Sequence, residues 1–397
     1  MRRIVCLLAV ASCALGACSS SGSKPNASRG RNTSTTVAAA VAAKAYEQAG
    51  PHPVGVTTYT LPAGNQVEVW YPAVDGTTGT ISYDVRDYVP AAIKQLLTAN
   101  VPATFSYPGK RDAAAAPGTY PLVLFSHGFS GIRMQSSFLT SHLASWGMIV
   151  ASPEHPSRDL THALVGEVGP AQASVNDIKA TLQLVTDQNR KSGSLLDGHV
   201  DLAHVAAVGH SAGGATVLSA AQQMPEVAGY VSLASGIFRD SSTTTSAGAT
   251  TTTTAMPEKP SLFVAGTDDH VAVFSQVTKP AFDAAAAPTR LWLIDKLGHN
   301  GFDDFCTFGN GKGIIGVAEA AGLGPALSRP PLSQFKALGE DGCSPPALPV
   351  RQVWPIIDHV VTSWLRNLFG TDKAPVGLDA SVSGQYNVKV DISTRLG

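Results

Sequence analysis

The 397-residue sequence is poor in charge, in cysteine and in long hydrophobic runs, and each shortage narrows what the chain can be. Only 14% of its residues are charged, and 28 Lys and Arg stand against 29 Asp and Glu, so there is no basic excess to neutralise a phosphate backbone. Nucleic acid is therefore not an expected partner. The 44% of hydrophobic residues exclude a disordered chain and are enough for one sizeable domain with extensions. No repeat of solenoid length is present.

Behind Met1-Arg2-Arg3, the apolar run Ile4 to Leu15 is too short to cross a bilayer stably and reads as an export signal. It ends in Leu15-Gly16-Ala17-Cys18, which resembles a bacterial lipobox, so residues 1–18 are expected to be a signal with Cys18 as the lipidated residue. Acyl chains contribute about 0.8 kcal/mol per buried methylene, which holds a protein on the membrane surface without a spanning helix. The expected location is the extracytoplasmic side of the cell envelope. Residues 19–45, rich in Ser, Gly, Asn and Thr as far as Thr36, read as a flexible stalk ahead of a domain over 46–397. Cys6 and Cys13 leave with the signal and Cys18 is lipidated, so Cys306 and Cys343 remain in an oxidising compartment and are expected to pair.

Val54 to Leu61 and Gln66 to Tyr71 alternate around Pro62-Ala63-Gly64-Asn65, the pattern of an antiparallel hairpin at a sheet edge. Short continuous apolar runs follow at Pro121 to Phe125, Met148 to Ala151, Val205 to Val208, Tyr230 to Leu233, Leu262 to Ala265 and Leu291 to Ile294, as strands buried on both faces require. Helical spacing lies between several of them, at Arg133 to Trp146, Ala171 to Gln188, Ala212 to Gln223 and Val273 to Ala285, and again at Val350 to Phe369. The fold class is α/β, with a mostly parallel central sheet, antiparallel N-terminal edge strands and helices on both faces. Asp84 to Lys110, with a short helix over Ala91 to Leu97, is either a packed surface excursion or a lid; Ser241 to Ala255 is a Thr-rich mobile loop.

His204 to Val208 runs into Gly209-His210-Ser211-Ala212-Gly213-Gly214 and then a helix, the strand, turn, helix context of the G-x-S-x-G elbow. Ser211 is the candidate nucleophile. Its hydroxyl needs a base, and the base needs a carboxylate to set its tautomer. Of the histidines after Ser211, His359 lies inside the last helix, His270 is placed to face solvent, and His299 follows the Leu291 to Ile294 strand at its carboxyl end, so His299 is the candidate base. Asp269 is the preferred acid, with Asp268 and Asp240 as rivals and Asp303 and Asp304 as loop or capping groups. Two backbone N–H donors are required for a developing oxyanion, and the amides of Phe129 and Ala212 suit that role. His127 and His210 are read as loop-fixing or packing residues.

Leu124-Phe125-Ser126-His127-Gly128-Phe129, Leu143 to Ala151 through Glu154-His155, Gly209 to Val217 and His299 to Phe305 resemble, in order and spacing, blocks of the platelet-activating-factor acetylhydrolase-like branch of the α/β-hydrolases. Pro53 to Val56 and Val67 to Ala73 are similar to the entrance of its bacterial members. The resemblance implies the roles above for Ser211, His299, Phe129 and Ala212. It leaves the acid open: the animal members carry it directly after the sixth strand, where this chain has Ser232-Leu233-Ala234-Ser235-Gly236, whereas Asp269-His270-Val271-Ala272 resembles the placement in bacterial polyester hydrolases. The expectation is a serine ester hydrolase acting on short-chain or lipid-like esters. It should work as a monomer and without metal or organic cofactor. A cutinase-like polyester hydrolase and a non-catalytic ligand-binding lipoprotein are the alternatives.

Overall fold

In the computed structural model, which describes residues 32–238, 255–330 and 332–397, the apolar runs become strands of one sheet. The strands are β1 (Val54–Thr60), β2 (Gln66–Pro72), β3 (Thr80–Asp84), β4 (Thr104–Pro108), β5 (Lys110–Arg111), β6 (Tyr120–Ser126), β7 (Ile149–Pro153), β8 (Val200–His210), β9 (Val227–Leu233), β10 (Ser261–Gly266), β11 (Thr289–Ile294) and β12 (Val390–Arg395). Among the described residues ten of them run in the order β12-β11-β10-β9-β8-β6-β7-β2-β1-β5. The six from β11 to β7 are parallel to one another. Antiparallel pairings flank them, β2 with β7 and β1 with β2 on one side and β12 with β11 on the other. This is the α/β-hydrolase fold.

The helices are α1 (Asn32–Ala43), α2 (Ala91–Lys94), α3 (Ser137–Ser145), α4 (Leu160–Val165), α5 (Ala171–Arg190), α6 (Ala212–Gln223), α7 (Thr278–Ala284), α8 (Gly313–Ala320), α9 (Gly324–Leu327), α10 (Leu332–Glu340) and α11 (Val350–Leu368). Alternation along β6 explains the continuous apolar runs. Val123 and Phe125 join a core shared with α3 and α11, while Leu122 and Leu124 join a second core under α5, α6 and α7. Both faces of the strand are covered, so its central residues Leu122 to Phe125 are all apolar.

Several boundaries differ from expectation. Helix α3 starts at Ser137 rather than Arg133 and α7 at Thr278 rather than Val273, because the residues before each make turns that shape loops beside the sheet. The 84–110 excursion is a two-stranded ribbon, β3 against β4, with α2 only four residues long. Of the expected stalk, Asn32–Ala43 is helical rather than coil, as its alanine content favours, and Ala43 is fully buried. Residues 1–31, with Cys18, lie outside the described residues, as do Asp240 and the Thr-rich segment up to residue 254. No helix of the described residues is long and apolar enough to cross a membrane.

Strand β8 sits between β9 and β6, and β6 lies between β8 and β7. The chain reverses its direction of winding there. The carboxyl ends of β6, β8, β10 and β11 therefore open into one crevice, the usual ligand position in open sheets of this kind.

Candidate active site

Ser211 is the first residue after β8 and caps α6, with φ 55° and ψ −124°. A left-handed φ on a residue with a Cβ costs on the order of 1–3 kcal/mol and is kept only where the surroundings enforce it. Here they do. The Ser211 amide donates to the Leu233 carbonyl at 2.9 Å, and a Cβ on Gly209 would run into the Gly213 carbonyl, while one on Gly213 would run into the carbonyls of Ser126 and His127. The two glycines let strand, turn and helix approach closely enough to raise the hydroxyl above the sheet.

His299 opens a single 3-10 turn, His299–Phe302, shortly after β11. Its Nε2 lies 2.8 Å from Ser211 Oγ, and its Nδ1 lies 2.9 and 3.1 Å from the two oxygens of Asp269. The geometry assigns the Nδ1 proton to Asp269 and leaves Nε2 to accept from the serine. Asp269 stands in the turn after β10, where one oxygen also accepts the amides of Val271 at 2.9 Å and Ala272 at 2.7 Å. Burial works to raise its pKa, but the adjacent His299 and these donors outweigh that, and the net direction is down. The carboxyl is held ionised.

The described rival, Asp268, is elsewhere. The Asp268 carboxylate is 4.0 Å from His270 Nε2, at the surface, and Asp240 is outside the described residues. Asp303 accepts the Phe305 amide at 2.9 Å, and Asp304 accepts the Phe138 amide at 3.1 Å and the Tyr107 hydroxyl. The His270 side chain is 73% exposed, whereas His359 is buried, accepting the Tyr46 amide and meeting the Gly377 carbonyl. His127 fixes its own loop, with Nδ1 2.9 Å from the Gly128 carbonyl and Nε2 accepting the His155 amide at 3.1 Å.

The amides of Phe129 and Ala212 have no acceptor among the described residues. Their neighbours do: Ser130 donates to the Arg158 carbonyl at 2.8 Å and Gly128 to Gln135 Oε1 at 3.1 Å. Gln135 was not anticipated from sequence. Its amide group donates to His210 Nδ1 at 2.7 Å, and His210 Nε2 in turn donates to the His299 carbonyl at 3.1 Å. Burial pushes His210 down to about 3, so the ring stays neutral and can both accept and donate. Gln135 thus joins the 126–131 loop to the elbow, and His210 carries the connection on to the base.

Asp341 was also missed. One of its oxygens accepts the His299 amide at 2.7 Å and the other the His270 amide at 3.0 Å, which ties the base turn to the acid turn. Two residues on, Cys343 is disulfide-bonded to Cys306, the pairing expected from the cysteine inventory. The disulfide anchors the chain after α10 beside the base turn. Nothing in the local sequence marks Asp341; only its nearness to Cys343 is a signal.

Ser211 and His299 lie at the floor of a cavity of about 280 Å³, with Gly128 and Phe129 beside them. Its roof comes from the 85–97 excursion, through Val89, Ile93 and Leu96, and from α8, α9 and α10, through Ile314, Leu327 and Phe335. Phe335 stacks on Phe129 with ring centroids 6.2 Å apart. No Lys or Arg is among the described lining residues.

A family model for platelet-activating factor acetylhydrolase, isoform II, matches residues 45–193, a stretch that takes in β1 to β7 and the 126–131 loop but ends before Ser211. Among curated proteins, a platelet-activating factor acetylhydrolase of Cavia porcellus is 27% identical over 225 residues, 43% of this chain and 50% of that protein. One of Gallus gallus is 31% identical over 121 residues, 27% of this chain and 29% of that protein. The chain spans about half the length, or less, of the curated relatives it matches.

Proposed function

We propose that the protein is an exported, lipid-anchored serine hydrolase of carboxylic esters. The observation that carries this reading is the 2.8 Å contact of Ser211 Oγ with His299 Nε2 at the floor of an apolar cavity. The similarity to acetylhydrolases supports ester hydrolysis in general terms.

Ser211 attacks the ester carbonyl while His299 Nε2 takes its proton. Asp269, held ionised, keeps the Nδ1 proton in place and stabilises the imidazolium that forms. Negative charge that moves onto the carbonyl oxygen is met by the amides of Phe129 and Ala212. His299 then gives its proton to the leaving alkoxide, and an acyl-Ser211 ester remains. A water deprotonated by His299 attacks that ester, the acid leaves, and the proton returns to Ser211. The residues present need no metal or organic cofactor for these steps.

Ser211→Ala and His299→Ala each lower kcat on a nitrophenyl ester by at least about 10⁴-fold with the fold intact. Near-wild-type turnover by either variant refutes the reading. A fluorophosphonate probe labels the wild type at Ser211, and a protein that only binds ligands stays unlabelled. For the anchor, the Leu15-Gly16-Ala17-Cys18 sequence supports lipidation at Cys18; Cys18→Ala then abolishes incorporation of labelled palmitate and releases the chain from membranes.

A further inference from the structure

The cavity beside Ser211 is far larger than an acetyl group and its chemistry is one-sided. Its walls include five separate segments, the 85–97 excursion, α4, α8, α9 and α10, and all of them supply aliphatic carbon: Leu97, Leu164, Ile315, Ala326 and Leu338 lie alongside the residues named above. Gln135 and His210 are bonded to each other, and Asn300 donates its side-chain amide to the Leu338 carbonyl at 2.8 Å, so these polar lining groups are already satisfied. Asp303 is the single carboxylate among the described lining residues, burial pushes it well above the ordinary carboxylate range, and no Lys or Arg stands beside it, so away from the amides at the floor the walls offer an anion no charged partner. Beyond the reach of those amides, a phosphate or carboxylate could enter only by shedding water without a compensating partner.

We propose that this cavity is the binding site for one linear, uncharged hydrocarbon arm of the ester, of medium length. The inference rests on the ester-hydrolase reading and gives it a substrate class. At roughly 30 Å³ for a group the size of a water or a methylene, 280 Å³ holds about nine such groups, which sets the arm at about six to ten carbons. Charged parts of the substrate stay at or outside the mouth. The arm can belong to the acyl or to the alkoxy side of the ester; its chemistry is the same in both cases.

The test uses the full chain in phospholipid nanodiscs, which keeps alkyl detergents out of the cavity. Initial rates are measured for nitrophenyl alkanoates from two to fourteen acyl carbons and for alkyl acetates from one to twelve alkoxy carbons. In one series kcat/KM climbs about threefold per methylene up to about eight carbons and then falls, while the other series stays nearly flat. The series that climbs identifies the arm. A nitrophenyl or alkyl ester of the favoured length that ends in a carboxylate drops to the level of the two-carbon ester. Two series that both peak at their shortest member, or that keep rising to the longest, overturn the proposal, as does a terminal carboxylate without effect.

Leu327→Trp, which fills part of the roof, moves the optimum to shorter arms by at least two carbons; an unmoved optimum in a folded variant counts against the site. If the protein neither hydrolyses any ester nor reacts with a fluorophosphonate, it is the hydrolase reading that has failed. The cavity is then judged by binding: N-methyloctanamide raises Tm and N-methylacetamide does not, and an equal response to the two overturns the hydrocarbon site on its own.

Discussion

Replacing Asp341 by alanine removes a carboxylate that ties the backbone of the acid turn to that of the base turn. Its oxygens accept the His299 amide at 2.7 Å and the His270 amide at 3.0 Å, its side chain is 5% exposed, and it does not line the cavity. The His270 amide can turn to water. The His299 amide belongs to a residue that is 1% exposed, so loss of its charged acceptor costs about 1.5–3 kcal/mol unless the turn moves. Movement relieves that cost at the expense of the 2.8 Å contact to Ser211, and a displacement near 1 Å lowers a rate by about 100-fold. The expected outcome is a kcat reduced about 10- to 100-fold with KM within about twofold, measured as initial rates on a soluble nitrophenyl ester alongside Tm. Asp341→Asn keeps one carbonyl acceptor and recovers to within about tenfold of wild type. A staple with a purely structural role would lower Tm for both variants and leave kcat per folded molecule untouched. If Asp341→Ala retains kcat within twofold while folded, the positioning argument is wrong.

Asp269→Asn lowers kcat by about 10³- to 10⁴-fold because the amide no longer holds the His299 tautomer, whereas Asp268→Asn stays within about threefold; equal losses would contradict the assignment of the acid. Cys306→Ser with Cys343→Ser opens a link across 37 residues, for which chain entropy gives about 4 kcal/mol at most, so urea midpoints should show a loss of about 2–4 kcal/mol, and a shift under about 0.5 kcal/mol would speak against a constraining role. Burial first, then the charge of Asp304, pushes Asp358 well above the ordinary carboxylate range. Its contribution is thus fully present below the unfolded pKa near 4 and is lost as pH rises toward the folded value, so Asp358→Asn gains on wild type as pH rises above about 4, by at most about 1.4 kcal/mol per pH unit; a stability difference that does not vary with pH removes the argument.

How far the sequence could be read follows from where each signal is local. Strands β6 to β11 announce themselves because both of their faces are buried, and Ser211 because a tight turn between strand and helix demands glycine at positions 209 and 213. His299 was reachable from chain order and its place after a strand. Asp269 and Asp268 were adjacent and chemically equal in the sequence, and only the turn geometry separates the one that meets His299 from the one near the surface. The cavity roof was hard to read for a different reason. Helices α8, α9 and α10 are short, without a long periodic stretch, and the apolar residues they turn inward, such as Ile315, Leu327, Phe335 and Leu338, line an internal space. Gln135 and Asp341 act over 75 and 42 residues of separation, which no local pattern encodes.

A second Ser–His–Asp chain in the molecule shows that spacing alone does not make a nucleophile. Ser126 Oγ lies 2.9 Å from His155 Nε2, and His155 Nδ1 lies 2.9 Å from Asp177, distances close to those of the proposed site. Yet Ser126 is fully buried at the end of β6, and Arg158 donates to its oxygen at 2.7 Å, so the lone pair is occupied and no substrate can reach it. Burial and then the Arg158 charge push His155 well below its ordinary value, which forbids the imidazolium that a general base must become. Around Ser211 the surroundings differ: the hydroxyl faces a cavity, the partner carboxylate is held ionised, and two amides beside it have no acceptor among the described residues. A fluorophosphonate should therefore modify position 211 and leave position 126 untouched, and adducts at both serines in peptide mapping would show that access and charge do not separate the two constellations.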